Sequence, residues 1–157
     1  MSSEMLKAEQ YCHGHDHEGE AASLHLSKVR GTNLQMRTRL KCCGVTNSHQ
    51  LLQAAGPFRA RVVLSGKTGI EMAALAYITK RADLARVKGI GATFTDMLEV
   101  MSVDTVERLA AWAPDALHRT LHDFNRAERF ARRAPTPEEI ADWVTQARKL
   151  PVLIDNV

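Results

Sequence analysis

The sequence predicts an all-α fold, and three observations carry that expectation. Apolar residues recur at helical spacing from about residue 24 onward; Phe94, Met97, Leu98 and Met101, for example, stand at i, i+3, i+4 and i+7. Aromatics make up only 5% of the 157 residues while alanine is abundant, and no alternating run of convincing strand length occurs. Helix start and stop signals also follow one another at short intervals. The expectation is about eight to ten short helices in one compact domain.

Taken in order, residues 1–22 form a polar, acidic, His-bearing tail with room for a short helix around residues 4–11 and no apolar periodicity after it. Such composition reads as flexible and disordered when nothing is bound. A helical pattern begins at Ala21 with Leu24, Leu26 and Val29. Gly44 and Gly69 read as helix stops, and Pro57 and Pro114 as helix starts. Asp104-Thr105-Val106-Glu107 and Thr136-Pro137-Glu138-Glu139 both read as capping boxes. Leu117, Leu121 and Phe124 form one stripe, and Ile140, Trp143, Val144 and Ala147 another. Pro151 ends the last helix, and Val152-Leu153-Ile154 is an apolar segment able to dock on the body.

The centre of the chain is Lys88-Gly89-Ile90-Gly91, between a helical pattern ending near Val87 and the stripe beginning at Phe94. Glycine on both sides of one apolar residue permits a tight turn whose Ile90 plugs the groove between two helices. The N–H groups of that turn then face outward at a helix start, which suits an anion such as phosphate. This is the helix-hairpin-helix pattern. A shift of 58 sets Lys28-Val29-Arg30-Gly31 against Arg86-Val87-Lys88-Gly89, Met36 against Phe94, Leu40 against Leu98, Cys43 against Met101 and Leu51 against Leu109. The inference is two copies of one unit. The first is degenerate, because Gly31-Thr32-Asn33 lacks the apolar plug and the second glycine; Asn33 is expected to tolerate positive φ there. The organisation that follows is an acidic tail at 1–22, a basic degenerate half at 23–78, a second half at 79–153 and a terminal tail at 154–157.

The net charge of +3 hides an uneven distribution. Residues 1–20 carry one Lys against five acids, net −4, whereas residues 24–78 carry eight Lys/Arg against Glu71 alone, net +7. Such a block is an electrostatic footprint for a polyanion or an acidic protein surface. No apolar run is long enough to span a bilayer and no apolar signal core opens the chain, so membrane insertion is not expected. Three cysteines, Cys12, Cys42 and Cys43, do not form a disulfide framework, and a reducing cytoplasm is the expected location.

Several separated motifs resemble one family of uncharacterised, mostly bacterial proteins, the domain of unknown function numbered four-three-three-two. They are the run Arg81 to Gly91, then Leu98, Val103-Asp104-Thr105-Val106 and Leu109, and Asn125 with Arg132-Arg133. Pro135-Thr136-Pro137, Trp143, Ala147-Arg148-Lys149 and Leu150-Pro151 follow in the family's order, so the likeness covers roughly residues 24–153. The resemblance implies a tandem helix-hairpin-helix fold and a nucleic-acid-binding role. Thr95 departs from the pattern, standing where such units often place Ala against the partner helix.

The candidate nucleic-acid contacts are Lys88, Gly89, Ile90 and Gly91 at the hairpin, with Arg30, Arg37, Arg39, Lys41, Arg59 and Arg61 in the basic half. The plainer alternative for the hairpin is a fold element kept for packing. Nothing resembles base readout, so binding is expected to be independent of sequence, with DNA favoured over RNA. Cys12, His13, His15 and His17 place a thiol and three imidazoles close together, a set able to ligate Zn or Ni, against the alternative of an incidental solvated tail. Ser65-Gly66-Lys67-Thr68 is not a P-loop, since Arg61 stands where that motif needs Gly and residues 58–64 read as helix. Cys43 aligns with Met101 and is expected to be buried, whereas His118 and His122 read as surface residues on a helix. No nucleophile–base pair or carboxylate dyad stands out, so no catalysis is expected. The leading expectation is a non-enzymatic nucleic-acid binder. The alternatives are a scaffold subunit docking on a larger assembly and a metal-binding accessory protein.

Overall fold

The structure, a computed structural model, describes residues 23–157. Those residues form eight α-helices and one 3-10 turn, with no strand among them. After the turn Leu26–Lys28 come α1 (Leu34–Cys42), α2 (Ser48–Ala55), α3 (Phe58–Thr68) and α4 (Met72–Leu84). The second part holds α5 (Gly91–Val100), α6 (Val106–Ala110), α7 (Pro114–Glu128) and α8 (Pro137–Lys149).

Local chemistry sets most of these boundaries. Thr136 and Glu139 form the expected reciprocal capping box, with Pro137 at the first helical position of α8. Pro114 likewise opens α7, and Gly69 ends α3 in the left-handed conformation. Two expectations need correction. The cap of α6 is Thr105, whose hydroxyl accepts the Arg108 N–H; Asp104 is drawn away into ion pairs with Lys80 and Arg108. The pattern beginning at Ala21 becomes a single 3-10 turn in the described residues. Hydrogen bonds tie its strand-like entry to the start of α2: Leu24 N–H donates to Ser48 Oγ (2.8 Å), Ser48 N–H to the Leu24 carbonyl (2.7 Å) and Leu26 N–H to the Thr46 carbonyl (3.1 Å).

Two apolar clusters form the interior. One runs from Leu26 to Ala82 and includes Leu40, Leu51, Leu75 and Ile78. The other runs from Leu84 to Ala147 and includes Ile90, Leu98, Leu109, Leu117, Leu121 and Trp143. Helix α4 passes through the expected boundary at 78/79, and the change from one cluster to the other falls between Ala82 and Leu84. At that crossing Asp83 is buried. Its carboxylate accepts the Arg86 guanidinium (2.9 Å) and the backbone N–H of Val106 (2.8 Å), while Arg86 also donates to the Pro151 carbonyl (2.7 Å). Burial pushes the Asp83 carboxyl above its ordinary range despite those donors.

The same backbone bonds recur in the two parts. Cys43 N–H to Leu40, Gly44 to Lys41 and Val45 to Leu40 close the turn after α1; Met101 to Leu98, Ser102 to Glu99 and Val103 to Leu98 close the turn after α5. Polar contacts then cross from α4 to α5. Arg81 lies 2.9 Å from both Asp96 and Glu99, Tyr77 donates to Glu99 (3.3 Å), and Arg30 pairs with the other oxygen of Asp96.

The terminal residues cross back to α2 and α3. Ile154 is buried, whereas Val152 and Leu153 remain exposed, so the expected docking of the apolar segment rests on one of its three residues. Asp155 N–H donates to the Gly56 carbonyl (3.2 Å), and its carboxylate accepts the Phe58 N–H (2.6 Å).

Candidate nucleic-acid interface

The second hairpin has the geometry its glycines require. Gly89 and Gly91 have φ of +94° and +75°, and Ile90 between them is buried in the second cluster. Lys88 is held by its backbone: its N–H donates to Gln146 Oε1 (2.8 Å) and its carbonyl accepts from Gln146 Nε2 (2.9 Å). The Lys88 N–H is thus committed to α8 and not offered to a ligand; its side chain is exposed.

Among the described residues no side chain caps α5, and its first amides, at Gly91, Ala92 and Thr93, have no acceptor there. They border a groove of about 510 Å³ that Phe130, Ala131, Arg132 and Arg133 also line. Arg133 is occupied by Glu139 (2.6 and 3.1 Å) and lies over the Phe94 ring. Hydrogen bonds from Arg133 and from the Thr136 amide hold the Glu139 carboxyl down to about 2. Arg132 is exposed and, unlike Arg133, has no carboxylate partner among the described residues. Sequence reasoning gave Arg132 no role; its place in the same groove as the start of α5 depends on the turn after α7, where Arg129 takes a left-handed conformation (φ +49°).

The first hairpin is closed differently. Gly31 also has φ of +94°, but Asn33 is extended (φ −121°) and caps α1 by accepting the Met36 N–H (2.8 Å). The expected positive φ at Asn33 is therefore not used, and the cap takes one α1 amide, that of Met36. Thr32 is spent inward on the Leu26 and Val29 carbonyls (2.8 and 2.9 Å).

The basic residues separate by environment. Arg61, expected to contact phosphate, is 1% exposed. Its guanidinium donates to four carbonyls, those of Ala55 (2.9 Å), Gly56 (3.0 Å), Asp155 (2.8 Å) and Asn156 (3.0 Å). It closes the negative end of α2 and has no surface to offer a ligand. Arg30 is at the surface but paired with Asp96. Arg37, Arg39 and Lys41 on α1 and Arg59 and Lys67 on α3 have no carboxylate partner among the described residues, and neither does Lys28. Arg39 bridges the two helices by donating to the Thr68 carbonyl (3.3 Å). Arg37 and Lys41, one turn apart, line a shallow groove of about 240 Å³ with His25 and Leu34.

Cys43 is exposed, not buried as its alignment with Met101 suggests, because it caps the end of α1 and faces away from the first cluster. His118 and His122 stand 5.9 Å apart on α7. No group of three or more His, Cys, Asp or Glu able to hold a metal occurs among the described residues. Cys12, His13, His15 and His17 lie outside them. No described helix is long and apolar enough to cross a membrane.

These features define a domain that is all-helical in its described residues. Residues 30–150 match the family described as a domain of unknown function (DUF4332), and the chain belongs to that family. It is also similar to an uncharacterized 22.9 kDa protein in the nqo2 3′ region of Paracoccus denitrificans, 34% identical over 106 residues. That stretch is 67% of this chain and 46% of the relative, so the chain spans about half of the relative's length. No solved structure matches.

Proposed function

We propose that this protein is a non-enzymatic binder of nucleic-acid backbone, duplex DNA in the first instance, built from two helix-hairpin-helix units of which the first is degenerate. One observation carries the reading. No acidic residue occurs between Glu20 and Glu71, and six cations there (Lys28, Arg37, Arg39, Lys41, Arg59 and Lys67) have no carboxylate partner among the described residues. Cations left unneutralised in one region are what a chain of phosphates binds, through release of its counterions. The uncapped first turn of α5, which lines one groove with Arg132, adds a place for one further phosphate. The tandem architecture is supported by the matching φ of Gly31 and Gly89 and by the repeated turn bonds after α1 and α5.

Fluorescence anisotropy with two unrelated duplexes tests the proposal. Similar affinity for both, falling steeply with salt, is the expected result. Absence of binding at low salt to both duplex and single-stranded DNA overturns it. A second reading, a scaffold subunit meeting a larger assembly, is favoured by the exposed Phe58 and Val62 of α3 and the exposed Val152 and Leu153 of the terminal segment. A pull-down from native extract separates the two: a stoichiometric protein partner that survives nuclease supports the scaffold.

A further inference from the structure

The cations on α1 have no carboxylate partner among the described residues, and the chain carries a block of acids of its own near its start. Residues 1–20 hold Glu4, Glu9, Asp16, Glu18 and Glu20 against Lys7 alone. This segment lies outside the described residues and joins them at Ser23, two residues before His25. His25 is itself a wall of the groove that contains Arg37, Lys41 and the exposed Leu34 (72%). The acidic block is therefore joined, through Ser23 and Leu24, to a residue that lines a groove holding Arg37 and Lys41 and no acid.

We propose that residues 9–20 of the same chain dock in the α1 groove, with Asp16, Glu18 and Glu20 facing Arg37, Lys41 and Lys28, and so compete with a polyanion for that face. The inference rests on the reading of this face as a phosphate-binding surface only for its competitive consequence; the docking itself rests on charge and tether. Reach is sufficient. From His25 back to Glu18 is seven residues, an extended span of at most about 24 Å, and α1, with nine residues, is about 14 Å long. A short tether gives an effective concentration on the order of millimolar, so weak screened ion pairs are enough to occupy the groove much of the time. Helix α1 carries no acid of its own to hold the segment off. The carboxylates nearest in sequence after Glu20 are Glu71 and beyond, and Asp96 is already shared by Arg30 and Arg81.

The test uses the full chain with and without Asp16→Asn, Glu18→Gln and Glu20→Gln. Zero-length carbodiimide cross-linking at low salt and low micromolar protein, mapped by mass spectrometry, reads the docking. The expected links join residues 16–20 to Lys41 and Lys28 within one chain, and vanish in high salt and in the triple variant. Links absent, spread evenly over Lys67, Lys80, Lys88 and Lys149, or formed only between chains overturn the proposal. Duplex DNA titration reads the competition: the triple variant is expected to bind about threefold or more tightly than the native chain, as release of an occupied site requires. Equal affinities refute the competition. If neither chain binds DNA while the intramolecular links form, the phosphate-binding reading fails and the docking stands.

Discussion

Replacing Arg37, Arg39 and Lys41 together by Gln tests the basic face most directly, because the structure fixes how many charges are available. Eight Lys/Arg occupy residues 24–78. Arg61 is buried against four carbonyls and Arg30 is paired with Asp96, which leaves six. Each phosphate neutralised on duplex DNA contributes about 0.9 to the slope of log K against log salt, so six contacts set an upper slope of about 5.4. Between 50 and 200 mM salt that corresponds to roughly a thousandfold loss of affinity or somewhat more. The triple variant should lower the slope by about 2.7, read by anisotropy at four or more salt concentrations. Arg61→Gln should leave the slope unchanged and lower stability instead, because it removes a group from the interior and not from the face. A triple variant with the native slope, beside an Arg132→Gln variant that no longer binds, refutes the reasoning and places the contact at the α5 groove.

Three further outcomes concern the frame of the site. Asp83→Ala leaves the Arg86 guanidinium and the Val106 N–H without their buried acceptor and should cost about 3–5 kcal/mol in denaturant unfolding. Gly31→Ala should cost more than Gly91→Ala: both positions have positive φ, worth about 1–2 kcal/mol for an added side chain, but only at Gly31 does the new Cβ meet an obstacle, the Tyr77 ring at 2.6 Å. Equal losses in urea midpoint contradict that ranking. Glu139 is held at about 2 in the folded chain against an ordinary 4.5, so its contribution is fully present above about 4.5 and is lost as pH falls toward 2. The acid limb of the stability curve should therefore be shallower in Glu139→Gln, and an unchanged limb refutes the Arg133 contact as its source.

What was legible in the sequence was the chemistry that acts within one turn of helix. The Thr136/Glu139 capping box, Pro114 at the start of α7 and Gly69 at the end of α3 depend on neighbours a few residues away, and these signals stand in the structure as read. What was not legible was how distant groups spend a charge or a donor. Counting residues placed Arg61 in the basic group, but two of its acceptors, Asp155 and Asn156, come from more than ninety positions along the chain. Asp104 looked like a helix cap until Lys80, from α4, competed for it. Lys88 was read as a charge beside the turn, and nothing near it in sequence showed that Gln146, from α8, holds its backbone N–H and carbonyl. Arg132 needed the turn after α7 to bring it into one groove with the start of α5.

The buried Arg61 has a consequence for the order in which the chain can be completed during synthesis. Residues 24–78 leave the ribosome first, yet the guanidinium inside them finds two of its four acceptors only when Asp155 and Asn156 have emerged. Until then α2 and α3 enclose a cation whose remaining donors must stay hydrated, and a buried charge short of partners weakens the packing around it. The half that is translated first is thus the half that closes last. A nascent chain halted before residue 155 should expose the junction of α2 and α3 to protease while α6, α7 and α8, whose buried apolar cluster ends at Ala147 with Leu150 packed against it, have already consolidated.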